Sequence, residues 1–311
     1  MNGYLAAAIA VLIWASYPVA TRAGVTGSFA PEELVTLRFG VGALLFLPYL
    51  LWHCRGIGRS AWLRGVPLTL FQGAGMGALV IGGLQFAPAN HQAALGPGVS
   101  PAWVALLGFL VFARRPSPRA IVGATLCAIG VVALAGWSAL RLTPAVLLGD
   151  AMFLSASALG ALYVLQLRSW GVGAIQAAAI VSVYSALVVV PWHLLHAHES
   201  LWRFAPLELL WQTLWQGVLI GCISLVALNR AIEHLGAERS SALVAFVPAL
   251  SALLALFFLG EVPSVAETAA ILAISAGVTV AATPAPRRYG GRPASSSADM
   301  KRAACGLSRP G

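Results

Sequence analysis

Hydrophobic residues in this chain neither alternate nor keep to one helical face; they come in long unbroken runs. Each run is closed by a short polar or proline-containing break. A helix that crosses a bilayer takes roughly 20 apolar residues, with short cases near 17. The pattern predicts ten such spans, at about 3–21, 34–52, 66–87, 91–112, 118–137, 146–167, 174–192, 211–229, 240–259 and 265–282. The shortest breaks fall near 87–91 and 138–146.

One run returns. SPAWVALLGFLVFARRPS, from Ser100, comes back 147 positions later as VPALSALLALFFLGEVPS, from Val247. Pro101, Ala102, Ala105, Leu106, Leu107, Pro116 and Ser117 meet Pro248, Ala249, Ala252, Leu253, Leu254, Pro263 and Ser264. Gly130-Val131 meets Gly277-Val278 at the same offset, and Ala15, Tyr17 and Arg22 meet Ala161, Tyr163 and Arg168 at 146. Prolines, glycines and an arginine that keep nearly one offset divide the chain into residues 1–142, residues 143–284 and a tail, 285–311. Each half holds five spans. Five is odd, so the second half enters the membrane from the opposite side. The expected fold is an all-α integral membrane protein with ten transmembrane helices, an inverted repeat of two five-helix halves.

Composition agrees. Hydrophobic residues make up 59% of the chain and charged residues 9%, and the mean hydropathy is +0.85. A soluble domain is roughly half apolar and a quarter charged, so a water-facing globule is excluded. The first run lacks a basic leader and reads as a span, not a cleaved signal. The net charge of +9 does not indicate nucleic acid, because the arginines lie mostly in short loops and the tail. With a cytoplasmic N-terminus, the inner loops hold Arg55, Arg59, Arg64, Arg114, Arg115, Arg119, Arg168, Arg230 and Arg239, and the basic tail joins them. The outer side holds Arg22, Arg141 and Arg203 with Glu32, Glu33, Glu199, Glu208 and Glu261. This bias places both termini in the cytoplasm. The tail is rich in Gly, Ser and Pro and is expected to be disordered. Cys54, Cys127, Cys222 and Cys305 are scattered, so neither a metal site nor a disulfide scaffold is expected.

Helix starts carry their own signals. Pro31 with Glu32-Glu33 suits the first turn of the second helix, and Pro116 and Pro263 are expected to open theirs in the same way. The SWGVG run after Arg168 and the HAHES stretch from His196 read as polar connections.

Polar groups at membrane depth are costly and therefore informative. Asn90, His91 and Gln92 open the fourth span, with Gln85 nearby. His91 shares a helical face with Ala94, Leu95 and Gly98. Pro97 and Pro101 remove backbone donors from that helix and, with Pro248 in the repeat, are candidate bend points. His91 is the candidate for proton coupling, since imidazole titrates near neutrality; water at the outer interface is the plainer setting for it. Asp150, in the first turns of the sixth span, is either a second coupling candidate or an acid satisfied by amides at the helix start. Trp14, Ser16 and Tyr17 break the first span, and Tyr163 is the repeat partner of Tyr17. Arg38 has three readings: snorkelling outward, pairing with Glu32 or Glu33, or attracting an anionic solute. No enzyme motif is present, whether HExxH, GxSxG, a phosphate-cradling loop or a carboxylate pair.

The opening LIWASYPVATRAGV, the PEELVTLRF run and the duplicated Pro…ALL…(R/E)xPS…GV segments resemble the drug/metabolite transporter superfamily, in its bacterial type with two EamA domains. The resemblance covers about residues 3–283. It implies a ten-helix carrier of the bacterial inner membrane, with a central cavity lined by the first, third, fourth, sixth, eighth and ninth helices. The corresponding positions here are Trp14, Ser16, Tyr17, Gln72, Asn90, His91, Tyr163 and Ser241. Members move amino acids, other metabolites or drug-like compounds, often outward. The NHQAALGPGVSP stretch departs from commoner members and leaves the solute open. The expectation is a secondary transporter working by alternating access, an exporter coupled to protons through His91 and Asp150. It needs no cofactor or metal. Its partners are a small solute, membrane lipids and, as a candidate, a second copy of the chain in a homodimer. The alternatives are a lipid-flipping or scrambling protein and a non-transporting membrane sensor or assembly protein.

Overall fold

The structure is a computed structural model that describes residues 2–53, 59–113, 115–140, 144–170, 174–196, 204–224, 226–227, 230–231, 234–235, 243 and 246–282. Among them every regular element is helical. Helices α1 (Gly3–Thr26) and α2 (Pro31–His53) form the first two spans. The third span is α3 (Arg59–Gln72) followed by α4 (Ala74–Phe86). The fourth is α5 (Ala89–Ala93), a wider π-helical stretch over Ala94–Gly98, and α6 (Ser100–Leu110). Then come α7 (Pro118–Leu140), α8 (Pro144–Trp170) and α9 (Ala174–His196). The eighth span joins α10 (Pro206–Gln212) to a second π-helical run, Thr213–Ile223. The ninth and tenth hold α11 (Val247–Leu259) and α12 (Val265–Ala282). Ten spans result, in two halves of five.

Six of these helices are long and apolar enough to cross a membrane, and three more are shorter and apolar, among the described residues. Large apolar side chains point outward all along them: Leu44, Leu51, Leu70, Phe109, Leu187, Leu210 and Phe257 are exposed. In water that surface would be untenable; in hydrocarbon it is the solvent-facing side.

The two halves meet most extensively where α7 packs on α12, and there the pseudo-twofold is visible atom by atom. A Cβ on Gly130 would lie 2.5 Å from Ile274 Cγ1 and 2.9 Å from Ala270 O. A Cβ on Gly277 would lie 2.7 Å from Cys127 Sγ and 2.7 Å from Gly123 O. Shifting each partner of the first set by 147 positions yields the second. Both helices use glycine because the backbones touch.

Several local expectations need correction. The helices after the Pro-Ser pairs start at Pro118 and Val265, two residues beyond Pro116 and Pro263. The serine is the cap: Ser117 Oγ accepts from Ala120 N at 3.2 Å, and Ser264 Oγ accepts from Glu267 N at 3.3 Å. A hydroxyl satisfies a first-turn donor, which a proline ring cannot do. The SWGVG run is not all connection, since α8 continues through Trp170. The third span breaks at Gly73, where Thr69 O and Ser185 Oγ fill the space a side chain would need. Ser185 Oγ accepts the Ala74 N–H freed there, at 3.1 Å.

The fourth span widens where Pro97 sits inside it. Proline offers no N–H to the carbonyl four residues back, so the chain passes to a wider turn. Carbonyls loosened by this cannot turn to water in a membrane. Neighbouring spans reach two carbonyls of the wide stretch: Ser157 Oγ donates to Gly96 O at 2.7 Å, and Cys127 Sγ lies 3.7 Å from Gly98 O. Pro101 and Pro248 both lie in the first turn of their helices, α6 and α11, where a missing N–H costs nothing.

Candidate functional site

Several buried polar groups, Thr21, Asn90, His91 and Asp150 among them, lie toward the end of the bundle at which α1 finishes. Two networks lie there.

The first centres on His91, which is fully buried in α5. Its Nδ1 lies 2.8 Å from Asp150 Oδ1 in α8. Its Nε2 lies 3.3 Å from Glu267 Oε1 in α12. One imidazole thus joins the fourth, sixth and tenth spans. Asp150 is also buried, and its Oδ2 has no hydrogen-bond partner among the described residues. Glu267 has a second task. Its Oε2 accepts from Ser264 N at 2.6 Å while Ser264 Oγ faces Glu267 N, a reciprocal cap of the first turn of α12. Asn90 Oδ1 accepts from His91 N at 3.0 Å and so holds the residue beside the ring.

The second network pairs Arg22 of α1 with Glu261, between α11 and α12, in a direct ion pair. Arg22 also donates to the carbonyls of Leu84 and Ala87 at 2.6 and 2.7 Å. Glu261 Oε2 accepts from Ala89 N at 3.0 Å. The turn between the third and fourth spans is thereby tied to the first span and to the loop before the tenth. The two networks are two residues apart along α5, at Ala89 and His91.

The residues singled out in the sequence are distributed as follows. His91 and Asp150 touch. Tyr17 is buried with Met76, Leu79, Val80, Ala156 and Ile220, where the first, third, sixth and eighth spans converge. Tyr163 packs elsewhere, with Leu68, Ala177, Val181 and Trp170. Ser16 turns its hydroxyl back to Leu12 O at 2.7 Å, on its own helix. Trp14 is half-buried in α1, and Gln72 ends α3 just before the Gly73 break. Gln72 Oε1 faces Gly160, 3.7 Å from where a Cβ would stand. Asn90 is buried. Ser241 lies outside the described residues. Arg38 turns inward: its Nη1 donates to Tyr17 Oη at 2.8 Å, and its Cζ is 5.3 Å from the Tyr17 ring centre. Asp150 is met by an imidazole and not by helix-start amides.

Glu267 and the Arg22–Glu261 pair were not anticipated. The SVAE run from Ser264 carries the capping signature that announces a helix start, but that signature does not show what the carboxylate meets across the bundle.

Two of the cavities among the described residues open to the surroundings. The larger, about 750 Å³, is an almost wholly apolar lateral groove between α6 and α7, lined by Trp103, Leu106, Phe109, Ile121, Ala128 and Val132 among others. The smaller, about 370 Å³, is lined by residues of α2, α4 and α9, Glu32, Thr36 and Trp192 among them. Neither includes the residues of the two networks. Among the described residues no group of His, Cys, Asp and Glu is arranged to hold a metal ion.

The family described as "EamA-like transporter family" matches the chain twice, over residues 1–136 and 147–283. No curated protein matches it. Twenty chains of solved structures do. One of them, described only as "Crystal structure of protein", has a TM-score of 0.59 and 23% identity, covering 90% of this chain and 96% of its own. That similarity concerns the fold alone.

Proposed function

Because this chain belongs to the EamA-like transporter family, and is thereby a multi-pass membrane transporter, we propose that it exports a small metabolite, amino acid or drug-like solute by alternating access, driven by protons exchanged at His91, Asp150 and Glu267. The observation that carries the coupling is the imidazole with a carboxylate at each ring nitrogen.

The protons can be counted from the geometry. Each N···O contact needs one hydrogen between its heavy atoms. An imidazolium between two carboxylates supplies both, and so does a neutral ring beside one protonated carboxyl. Both arrangements carry one net negative charge. Removing a proton leaves one contact with acceptor facing acceptor, and that contact opens. His91–Glu267 is the one to yield, because it is the longer, at 3.3 Å against 2.8 Å. Glu267 also keeps the Ser264 N–H as a partner. Of the other charged groups around α5, Arg22 of α1 pairs with Glu261 from the loop before α12, and Arg168 stands at the opposite end of α8 from Asp150. A single proton therefore makes or breaks the polar tie between His91 and the tenth span.

On this reading the loop arginines put both termini in the bacterial cytoplasm, in an inner-membrane protein, and the triad near the external face. External protons reach it there. The two halves, residues 1–142 and 143–284, rock against each other about the α7–α12 seam. Protonation closes the external end around His91, which suits inward movement of a proton exchanged for outward movement of solute.

The test is uptake by purified protein in liposomes, with amino acids and small metabolites, with and without a pH gradient. Saturable, competable flux that follows the gradient and falls in His91→Ala supports the reading. Flux indifferent to both retains a carrier but removes the coupling. Lipid movement with no solute flux replaces the carrier by a lipid-active protein.

A further inference from the structure

Arg38 breaks the pattern by which this bundle handles charge. A charged side chain at membrane depth is kept by pairing it or by bonding its polar atoms. Arg22 follows that rule, with a carboxylate and two carbonyls. Arg38 does not. Its hydrogen bond goes to the neutral Tyr17 hydroxyl at 2.8 Å. Its Cζ lies 5.3 and 5.6 Å from the ring centres of Tyr17 and Phe39. Among the described residues no carboxylate lies within ion-pair reach of it. Glu33, on the same helix, is turned back to Ala30 N at 2.8 Å as a cap.

Arg38 is half-buried. Arg38 is one of the residues of α2, about 10 Å along the axis from Pro31 at roughly 1.5 Å per residue. Its partner Tyr17 is buried among four converging spans. α9, the corresponding helix of the second half, holds neither arginine nor lysine, so the charge is not duplicated by the repeat. A guanidinium presents five N–H donors in a planar fork that matches a carboxylate, and one of them is engaged by Tyr17.

A second observation lies one helical turn further along α1. Thr21 and Gln216 are both fully buried, and Gln216 Nε2 donates to Thr21 Oγ1 at 2.9 Å. Gln216 Oε1 is left without a partner among the described residues. It is an acceptor awaiting a donor. Positions 17 and 21 are about 6 Å apart on one helical face.

We propose that Arg38 docks the carboxylate of the transported solute, with Tyr17 holding the guanidinium when the site is empty and Gln216 Oε1 accepting from an N–H of the solute. This rests on the transport reading above. The chemistry it selects is a carboxylate, from an amino acid or from a simple carboxylic acid; the Gln216 contact favours the amino acid.

The experiment compares flux in proteoliposomes of the standard amino acids and a set of aliphatic and aromatic monocarboxylates, each against its primary amide. The acids are carried and the amides are not. Arg38→Gln lowers flux of the acids about tenfold to a hundredfold, the loss of a charge-assisted bond, and Arg38→Lys retains part of it. Gln216→Leu weakens amino acids and spares simple acids if the solute is an amino acid. Where Arg38→Gln does not reach the membrane, the acid-against-amide comparison on the unaltered protein decides. Amides carried as well as acids, or Arg38→Gln without effect, overturns the proposal while leaving a carrier. No flux of any solute overturns the transport reading and this proposal with it.

Discussion

His91 Nδ1 lies 2.8 Å from Asp150 Oδ1, a contact that closes 59 residues of chain and binds the start of the fourth span to the first turns of the sixth. Glu267 approaches the other nitrogen from the tenth span. One ring from the fourth span therefore faces a carboxylate from the sixth on one side and one from the tenth on the other.

Replacing His91 by Gln keeps a polar side chain at the site but removes the ring that can hold a proton toward each of two carboxylates. Solute exchange with equal pH on both sides is expected to continue, and uptake driven by a pH gradient is expected to fall by about tenfold or more. A pH profile of exchange, pH-dependent in the native protein and flat in His91→Gln, checks it. An unchanged profile would remove His91 from the coupling.

Glu267 caps α12 and also faces His91, and two substitutions separate the roles. Glu267→Gln can still accept from Ser264 N, so thermal stability is expected to change little while the pH dependence shifts. Glu267→Ala loses both roles and should cost about 1 kcal/mol from the cap alone. Melting temperature in detergent and the pH profile, measured together, tell them apart. Equal loss of stability in both variants would assign Glu267 to structure only.

The Arg22–Glu261 pair is predicted to be more harmful to halve than to remove. Arg22→Ala leaves a partly buried carboxylate unmatched, and Glu261→Ala leaves a partly buried guanidinium. Each is expected to destabilise by roughly 1–3 kcal/mol, below the range of fully buried pairs because both side chains retain some exposure. Arg22→Ala with Glu261→Ala should be less destabilised than the sum. Strict additivity in unfolding experiments would show that the pair is not coupled.

At the α7–α12 seam, Gly277→Ala puts a methyl 2.7 Å from Gly123 O and Cys127 Sγ. Backbone must move, and a loss of about 1–3 kcal/mol is expected. Gly136→Ala is the control: nothing lies within 4 Å of its Cβ position, and it should be neutral or stabilising by up to about 1 kcal/mol. Both are read from melting temperature, and comparable effects would mean the seam tolerates separation.

Much of the fold is legible without coordinates. Run length announces the spans, and the shared offset of Pro101 with Pro248 and of Gly130 with Gly277 announces two halves. His91 and Asp150 each stand out because charge is rare in hydrocarbon. Their contact does not, since nothing between positions 91 and 150 records how the two helices cross. Arg22 looks like an exception to loop charge until Glu261 is seen beside it. Ser16 looks like a cavity residue until its hydroxyl is found on Leu12 O. The break at Gly73 depends on Ser185, 111 residues away in sequence.

What is local or repeated can be read from the residues in order: where a segment is apolar long enough to span, where proline disturbs a helix, which halves are copies, and that the second is inverted. Those follow from hydrophobic length, backbone chemistry and an odd span count. The tertiary structure alone decided which polar groups meet, that one histidine stands between two carboxylates, and that Arg38 turns to Tyr17 and not to its own glutamates. In a membrane each polar side chain must find its partner inside the protein, and which partner lies within about 3 Å is set by the crossing of helices far apart in the chain.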